Sequence, residues 1–162
     1  MKNYIIIGMP GSGKTTVSRS AAFSTGYKFI DLDDEITKKH GKITGIFENE
    51  GEASFRKYET DELKKAIAEK KAIISTGGGI IEKEENREIL KGGTVIFIDR
   101  PIDDIFSTLD AQSRPLLKNK EEVLHVLYKR RYPIYVNVAD YHIKNEGSVK
   151  ECVKSIVKII RI

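Results

Sequence analysis

Cysteine is nearly absent from this chain of 162 residues: Cys152 stands alone. A lone thiol cannot close an internal disulfide, which fits a reducing compartment and sets aside the disulfide-stapled scaffolds. On a C-terminal helical pattern it reads as a small packed side chain, not a nucleophile. Long apolar runs are missing too. None approaches 18 residues, so no segment is expected to cross a membrane. The opening MKNYIIIG has four apolar residues in a row before a glycine, enough for a buried strand and too few for a signal-peptide core. A cytoplasmic protein is expected. No repeat, low-complexity tract or Pro/Gly-rich linker divides the sequence, so residues 1–162 are expected to form one domain.

Blocks of positive charge are lacking as well, although the formal net charge is +4 and the pI near 9.0. The twenty lysines are dispersed, with pairs at 38–39, 64–65 and 70–71 and no longer run. They read as solvated helix faces, without the stripe a nucleic-acid surface would need. Arginine is scarce, with eight residues, of which Arg56, Arg114, Arg130 and Arg131 are clustered or lie in motifs. A planar guanidinium fork suits carboxylates and phosphates, so these four carry more information than the lysines. What remains is the balance of a soluble globular domain, 40% apolar and 32% charged.

Short apolar runs alternate with helical periodicities. Strands are expected over 3–8, 28–31, 72–76, 94–99 and 141–144. The clearest helix runs from Glu52 to Lys70, with Phe55, Glu59, Leu63, Ala66 and Ile67 along one side. A second lies near 148–160. The economical solution is α/β: three layers, a central parallel sheet of about five strands, and helices on both faces. Right-handed crossovers then put the working loops at the carboxyl ends of the strands. The polar stretch DAQSRPLLKNK (110–120) resists this pattern and reads as a mobile lid.

Residues 8–15, GMPGSGKT, fit G-x-x-x-x-G-K-[ST] through Gly8, Gly13, Lys14 and Thr15. An apolar strand precedes them and the helical stretch TTVSRSAAFST follows, the context of a P-loop NTPase fold. Glycines allow a tight path that turns N–H groups inward, and the helix N-terminus adds its positive end. Gly11, Ser12, Gly13, Lys14, Thr15 and Thr16 are therefore expected to hold a nucleoside triphosphate. Lys14, expected to face solvent, would bridge the outer phosphates, and the Thr15 hydroxyl would bind Mg²⁺. The loop does not identify the acceptor, because motors, GTPases, nucleic-acid enzymes and small kinases share it.

Three features bear on the acceptor. In DLDDE, Asp31 and Asp33 stand two apart at a strand end, where alternation would turn both toward the phosphate loop. An equally simple reading is a helix N-cap with acidic first-turn residues. Three glycines in STGGGII (75–81) follow a buried strand at an entropic cost, which suggests close approach of backbone to a ligand. In ITGIFENEGEASFRKYE, Ile43, Phe47 and Phe55 lie near Arg56 and Glu59, either as walls of a small anion-binding pocket or as core beside a surface i,i+3 pair.

Taken together, the phosphate loop, FIDLD, IFENEGEASFRKYE, STGGG, RPLL and RYPIYVNVAD resemble the shikimate kinase family, in order and nearly end to end. The resemblance implies ATP-dependent phosphorylation of the 3-hydroxyl of shikimate, with Mg²⁺ as cofactor. It implies Asp33 as base and acceptor-hydroxyl ligand, and Arg56 and Arg131 as the forks on the shikimate carboxylate. Gly77, Gly78 and Gly79 would meet the ring hydroxyls, and Asp31 and Thr15 would serve Mg²⁺. Arg114 would swing in with the lid to the transferring phosphoryl group, and NEGSV (145–149) would pack on adenine. Arg130 competes with Arg131, but the spacing to Pro133 and Tyr135 favours Arg131. One departure is plain: the helix entering the lid, DDIFSTLDAQ, has no basic residue where many relatives carry an arginine. The expected partners are shikimate and ATP, with no nucleic acid and no membrane, on a monomer. The alternatives are a gluconate or nucleoside monophosphate kinase of the same fold, or a nucleic-acid-binding ATPase.

Overall fold

β-branched apolar residues that stay buried on both sides favour parallel strands between helical layers, and β1 (Tyr4–Ile7) is wholly buried. A computed structural model describes residues 2–110 and 117–162. After β1 come α1 (Lys14–Thr25), β2 (Lys28–Asp31), α2 (Leu32–His40), α3 (Ile43–Asn49) and α4 (Glu52–Ala68). Then follow β3 (Ala72–Ser75), α5 (Glu84–Leu90), β4 (Thr94–Asp99), α6 (Ile102–Asp110), α7 (Leu117–Val138), β5 (Tyr141–Lys144) and α8 (Val149–Ile160). All five expected strands are present, within one or two residues of their expected ends.

The strands pair in parallel in the order β2-β3-β1-β4-β5. Period-two alternation divides the core into two layers. Ile5, Ile7, Ile74, Val95 and Phe97 face Leu63 and Ala66 of α4, Leu90 of α5 and Leu124 and Tyr135 of α7. Tyr4, Ile6, Ile73, Ile96 and Ile98 face Val17 and Ala21 of α1 and Cys152 and Ile156 of α8. Burial pushes the Cys152 thiol up to about 11, so it is a packed, protonated side chain. A satellite cluster of Ile36, Ile46 and Phe55 fastens α2 and α3 to α4.

β1 lies between β3 and β4, so the chain leaves its carboxyl end at the point where strand order reverses, the usual place for a ligand crevice. The polar stretch 110–120 is only partly a connection, because Leu117–Lys120 already belong to α7. Arg114 lies outside the described residues. Within α7, Pro133 removes one main-chain donor from the helix. Among the described residues no helix is long and apolar enough to cross a membrane.

Candidate active site

The turn after β1 needs glycine for two separate reasons. A Cβ on Gly8 would sit 2.5 Å from the Ile98 carbonyl oxygen, and Gly13 caps α1 in the left-handed region at φ 91°. Lys14 opens the helix. Contrary to expectation it does not face solvent: it is 8% exposed, and its Nζ donates to the carbonyls of Gly8 (2.8 Å) and Met9 (2.9 Å). Burial lowers its pKa to about 8, against the opposing pull of Asp33 and Asp31.

Asp31 divides its two oxygens. Oδ1 accepts from the N–H groups of Asp33 (3.0 Å) and Asp34 (3.3 Å), capping α2, and Oδ2 accepts from the Thr15 hydroxyl at 3.2 Å. The cap and the metal-ligand readings are thus compatible. Strand alternation is not what orients Asp33, which lies in the first turn of α2. That turn still brings it beside Lys14. Burial raises its pKa first, Asp31 adds to the rise, and Lys14 opposes it. Thr15 Oγ1 and Asp31 Oδ2 are two adjacent hard oxygens, a donor set that fits Mg²⁺, which takes few protein ligands and completes its shell with phosphates and water. Among the described residues no group of three or more His, Cys, Asp or Glu side chains is placed to hold a metal ion.

α4 and α7 supply the opposite wall. Arg56 Nη1 donates to Glu59 Oε1 at 2.9 Å. Glu59 is 1% exposed, so this is no surface pair. Its Oε2 lacks a hydrogen-bond partner among the described residues, and burial raises its pKa while Arg56 opposes the rise. Phe55, whose ring lies 5.3 Å from the Arg56 guanidinium, belongs to the satellite core with Ile43 packed against it; the more exposed Phe47 meets it at a tilt, ring centres 4.9 Å apart. On α7, Arg131 is 6% exposed; its Nε makes no hydrogen bond among the described residues but lies 3.8 Å from Glu82 Oε1. Arg130 instead points outward and pairs with Glu82 through both of that residue's oxygens. The structure therefore turns Arg131, not Arg130, toward the interior.

The three glycines after β3 mark where these side chains converge. None has positive φ, so conformational freedom is not the reason for them. The reason is space. A Cβ would fall 3.2 Å from Asp33 Oδ1 at Gly77, 2.6 Å from Pro10 Cδ and 3.2 Å from Arg131 Nη1 at Gly78, and 2.5 Å from Arg56 Nη1 at Gly79. Close approach to a ligand was expected; the protein's own side chains come close as well. Tyr135, fully buried and one turn beyond Arg131, donates to the Gly78 carbonyl at 2.5 Å. Its i,i+4 spacing puts it on the same helix face as Arg131, but does not name its partner.

Beside the phosphate loop lies a cavity of 380 Å³ whose lining includes Gly13, Thr16, Arg100, Asp104, Asn145 and Gly147. It contains the start of the NEGSV stretch. It also contains Arg100, which sequence reasoning passed over although the nearby helix lacked a basic residue.

A glycine-cradled lysine at the head of a helix, faced by a half-buried carboxylate and inward-turned arginines, is the arrangement of a P-loop phosphotransferase acting on a small anionic acceptor. The family model described as Shikimate kinase matches residues 10–161. A shikimate kinase of Clostridium botulinum (strain Eklund 17B / Type B) is 45% identical over 163 residues, covering 99% of this chain and 98% of the relative. The structure of shikimate kinase from Acinetobacter baumannii in complex with shikimate superposes with a TM-score of 0.90 at 39% identity, covering 99% of this chain and 93% of that one. The chain belongs to the shikimate kinase family. A gluconokinase from Sinorhizobium meliloti, at a TM-score of 0.66 and 11% identity, shares the fold alone.

Proposed function

We propose that the protein transfers the γ-phosphoryl group of ATP to the 3-hydroxyl of shikimate, releasing shikimate 3-phosphate and ADP, a step toward chorismate and the aromatic amino acids. The observation that carries this reading is the convergence of Arg56 and Arg131 on Gly79 and Gly78 of the glycine turn, with Asp33 at the adjoining Gly77. A nearly buried guanidinium whose Nε makes no hydrogen bond among the described residues favours a planar anion, and the carboxylate of shikimate supplies one. The A. baumannii relative, solved with shikimate, supports the choice of acceptor.

In the transfer the 3-oxygen attacks the γ-phosphorus, the bond to the bridging oxygen breaks with its electron pair going to ADP, and the hydroxyl proton passes to Asp33. The transition state is loose, so positioning and charge neutralisation dominate. Lys14 and the amides of Gly11 to Thr16 hold the phosphates. Asp33, with its pKa raised by burial, is a stronger base than an ordinary carboxylate. Thr15 and Asp31 would hold Mg²⁺, which neutralises charge on the phosphates when bound. Gly77, Gly78 and Gly79 hold the ring hydroxyls. Arg114 completes the cage around the phosphoryl group. The enzyme acts as a cytoplasmic monomer, without nucleic acid or membrane.

A coupled ADP-release assay with shikimate, gluconate, quinate and nucleoside monophosphates tests the reading. Shikimate should be the acceptor used efficiently, in the presence of Mg²⁺. ATP turnover equally fast without an acceptor, or faster with gluconate, would overturn it.

A further inference from the structure

Two side chains outside the phosphate loop grip its backbone. Arg100, immediately after β4, donates through Nη1 to the Gly11 carbonyl (2.8 Å) and through Nη2 to the Thr108 hydroxyl of α6 (2.8 Å). Asn145, immediately after β5, donates through Nδ2 to the Ser12 carbonyl at 2.9 Å. Asn145 is itself anchored, because its N–H donates to the Asp99 carbonyl at 2.7 Å. Neighbouring strand ends thus present one donor each to two consecutive peptide groups of the loop.

In a trans peptide the C=O and the following N–H point in opposite directions. Holding the carbonyls of Gly11 and Ser12 toward Arg100 and Asn145 therefore turns the N–H groups of Ser12 and Gly13 the other way. The Ser12 N–H does point there, reaching the Met9 carbonyl (3.1 Å) that Lys14 Nζ also contacts. A loop with Gly11 at φ 79° and Gly13 at φ 91° is built from the most permissive residue type, and without outside restraint its amides would wander. Affinity for a ligand rises when such donors are fixed in advance.

We propose that Arg100 and Asn145 are positioning residues that preorganise the phosphate loop, acting on the phosphates through the Gly11 and Ser12 peptide groups. This rests on the phosphate loop being the nucleotide site. The competing role is direct contact with the nucleobase in the 380 Å³ cavity that both side chains line.

Inorganic tripolyphosphate separates the two, because it has phosphates and no base. Calorimetric titration of the parent protein, Arg100→Ala and Asn145→Ala with tripolyphosphate and with ATP should show about tenfold weaker binding in each variant, alike for both ligands. KM for ATP should rise accordingly with a smaller change in kcat, and shikimate affinity without nucleotide should be unchanged. Arg100→Lys, which keeps one donor for the Gly11 carbonyl, should recover part of the loss for both ligands. A loss confined to ATP would overturn the proposal in favour of base contact. Unchanged affinity would overturn it outright, as would a lowered melting temperature with shikimate binding lost in parallel. Failure of the parent protein to bind either ligand would instead bring down the nucleotide site itself, and the clamp with it.

Discussion

Arg130 is held at the surface by hydrogen bonds to Glu82, whereas Arg131, its immediate neighbour, is buried against the glycine turn, its Nε 3.8 Å from the same carboxylate and without a hydrogen bond among the described residues. Adjacent residues on a helix point about 100° apart, so one of any such pair is chosen by packing. Arg131→Ala should weaken shikimate binding by about 10- to 150-fold, the range for a hydrogen bond to a charged group, with Arg130→Ala costing far less. Equal losses in a binding titration would show that the buried position carries no special weight. Asp33 gives a second test. Asp33→Asn should lower kcat by about 10²-fold or more if the carboxylate is the base. In the parent protein its raised pKa has a defined sign: the working form is deprotonated, so activity should fall as pH drops through a value above the ordinary carboxylate range. An acid limb at or below that range would remove the role. These roles were legible only in part. The motif named Arg131 and Asp33, but Glu82, Tyr135 and Arg100 act across separations of 48, 57 and 89 residues. No local pattern reveals such pairings.

Among the elements, the strands were the most readable because each is a short apolar run between helical patterns. α7 was the least readable, since Pro133 interrupts it and its first turn is polar, so neither a clean stripe nor a start signal shows. The start of α2 is an instructive case. Alternation predicted that Asp31 and Asp33 share a side; a helix cap achieves it instead, with Asp31 as the cap. The cap formed by Asp31 and its proposed service to Mg²⁺ can be separated by substitution. Asn caps as well as Asp, while Ala does not cap. Asp31→Ala should lose about 1 kcal/mol of stability, and Asp31→Asn should stay close to the parent protein. Both should need more Mg²⁺ for half-maximal activity, because both lose the charge next to Thr15. Thermal melts and Mg²⁺ titrations check this; an Asn variant with unaltered Mg²⁺ dependence would leave Asp31 as a cap alone.

Taken whole, the molecule carries a modest net charge of +4, and one of its charges is held inside the fold. That charge belongs to Lys14, with a pKa of about 8 in the unliganded loop. Phosphates placed against the ammonium favour its protonated form and raise that pKa again. Nucleotide binding at pH 8 should therefore draw about half a proton from solution, and almost none a unit or more lower. Calorimetry in buffers of different ionisation heat reads that uptake directly; a binding heat independent of buffer at pH 8 would refute it. Above pH 8 affinity should then weaken by up to about tenfold per unit, since neutral Lys14 must first be protonated. From about pH 8 upward, an empty loop that buries its own lysine would thus make the enzyme take up protons as it loads nucleotide and give them back as it lets go.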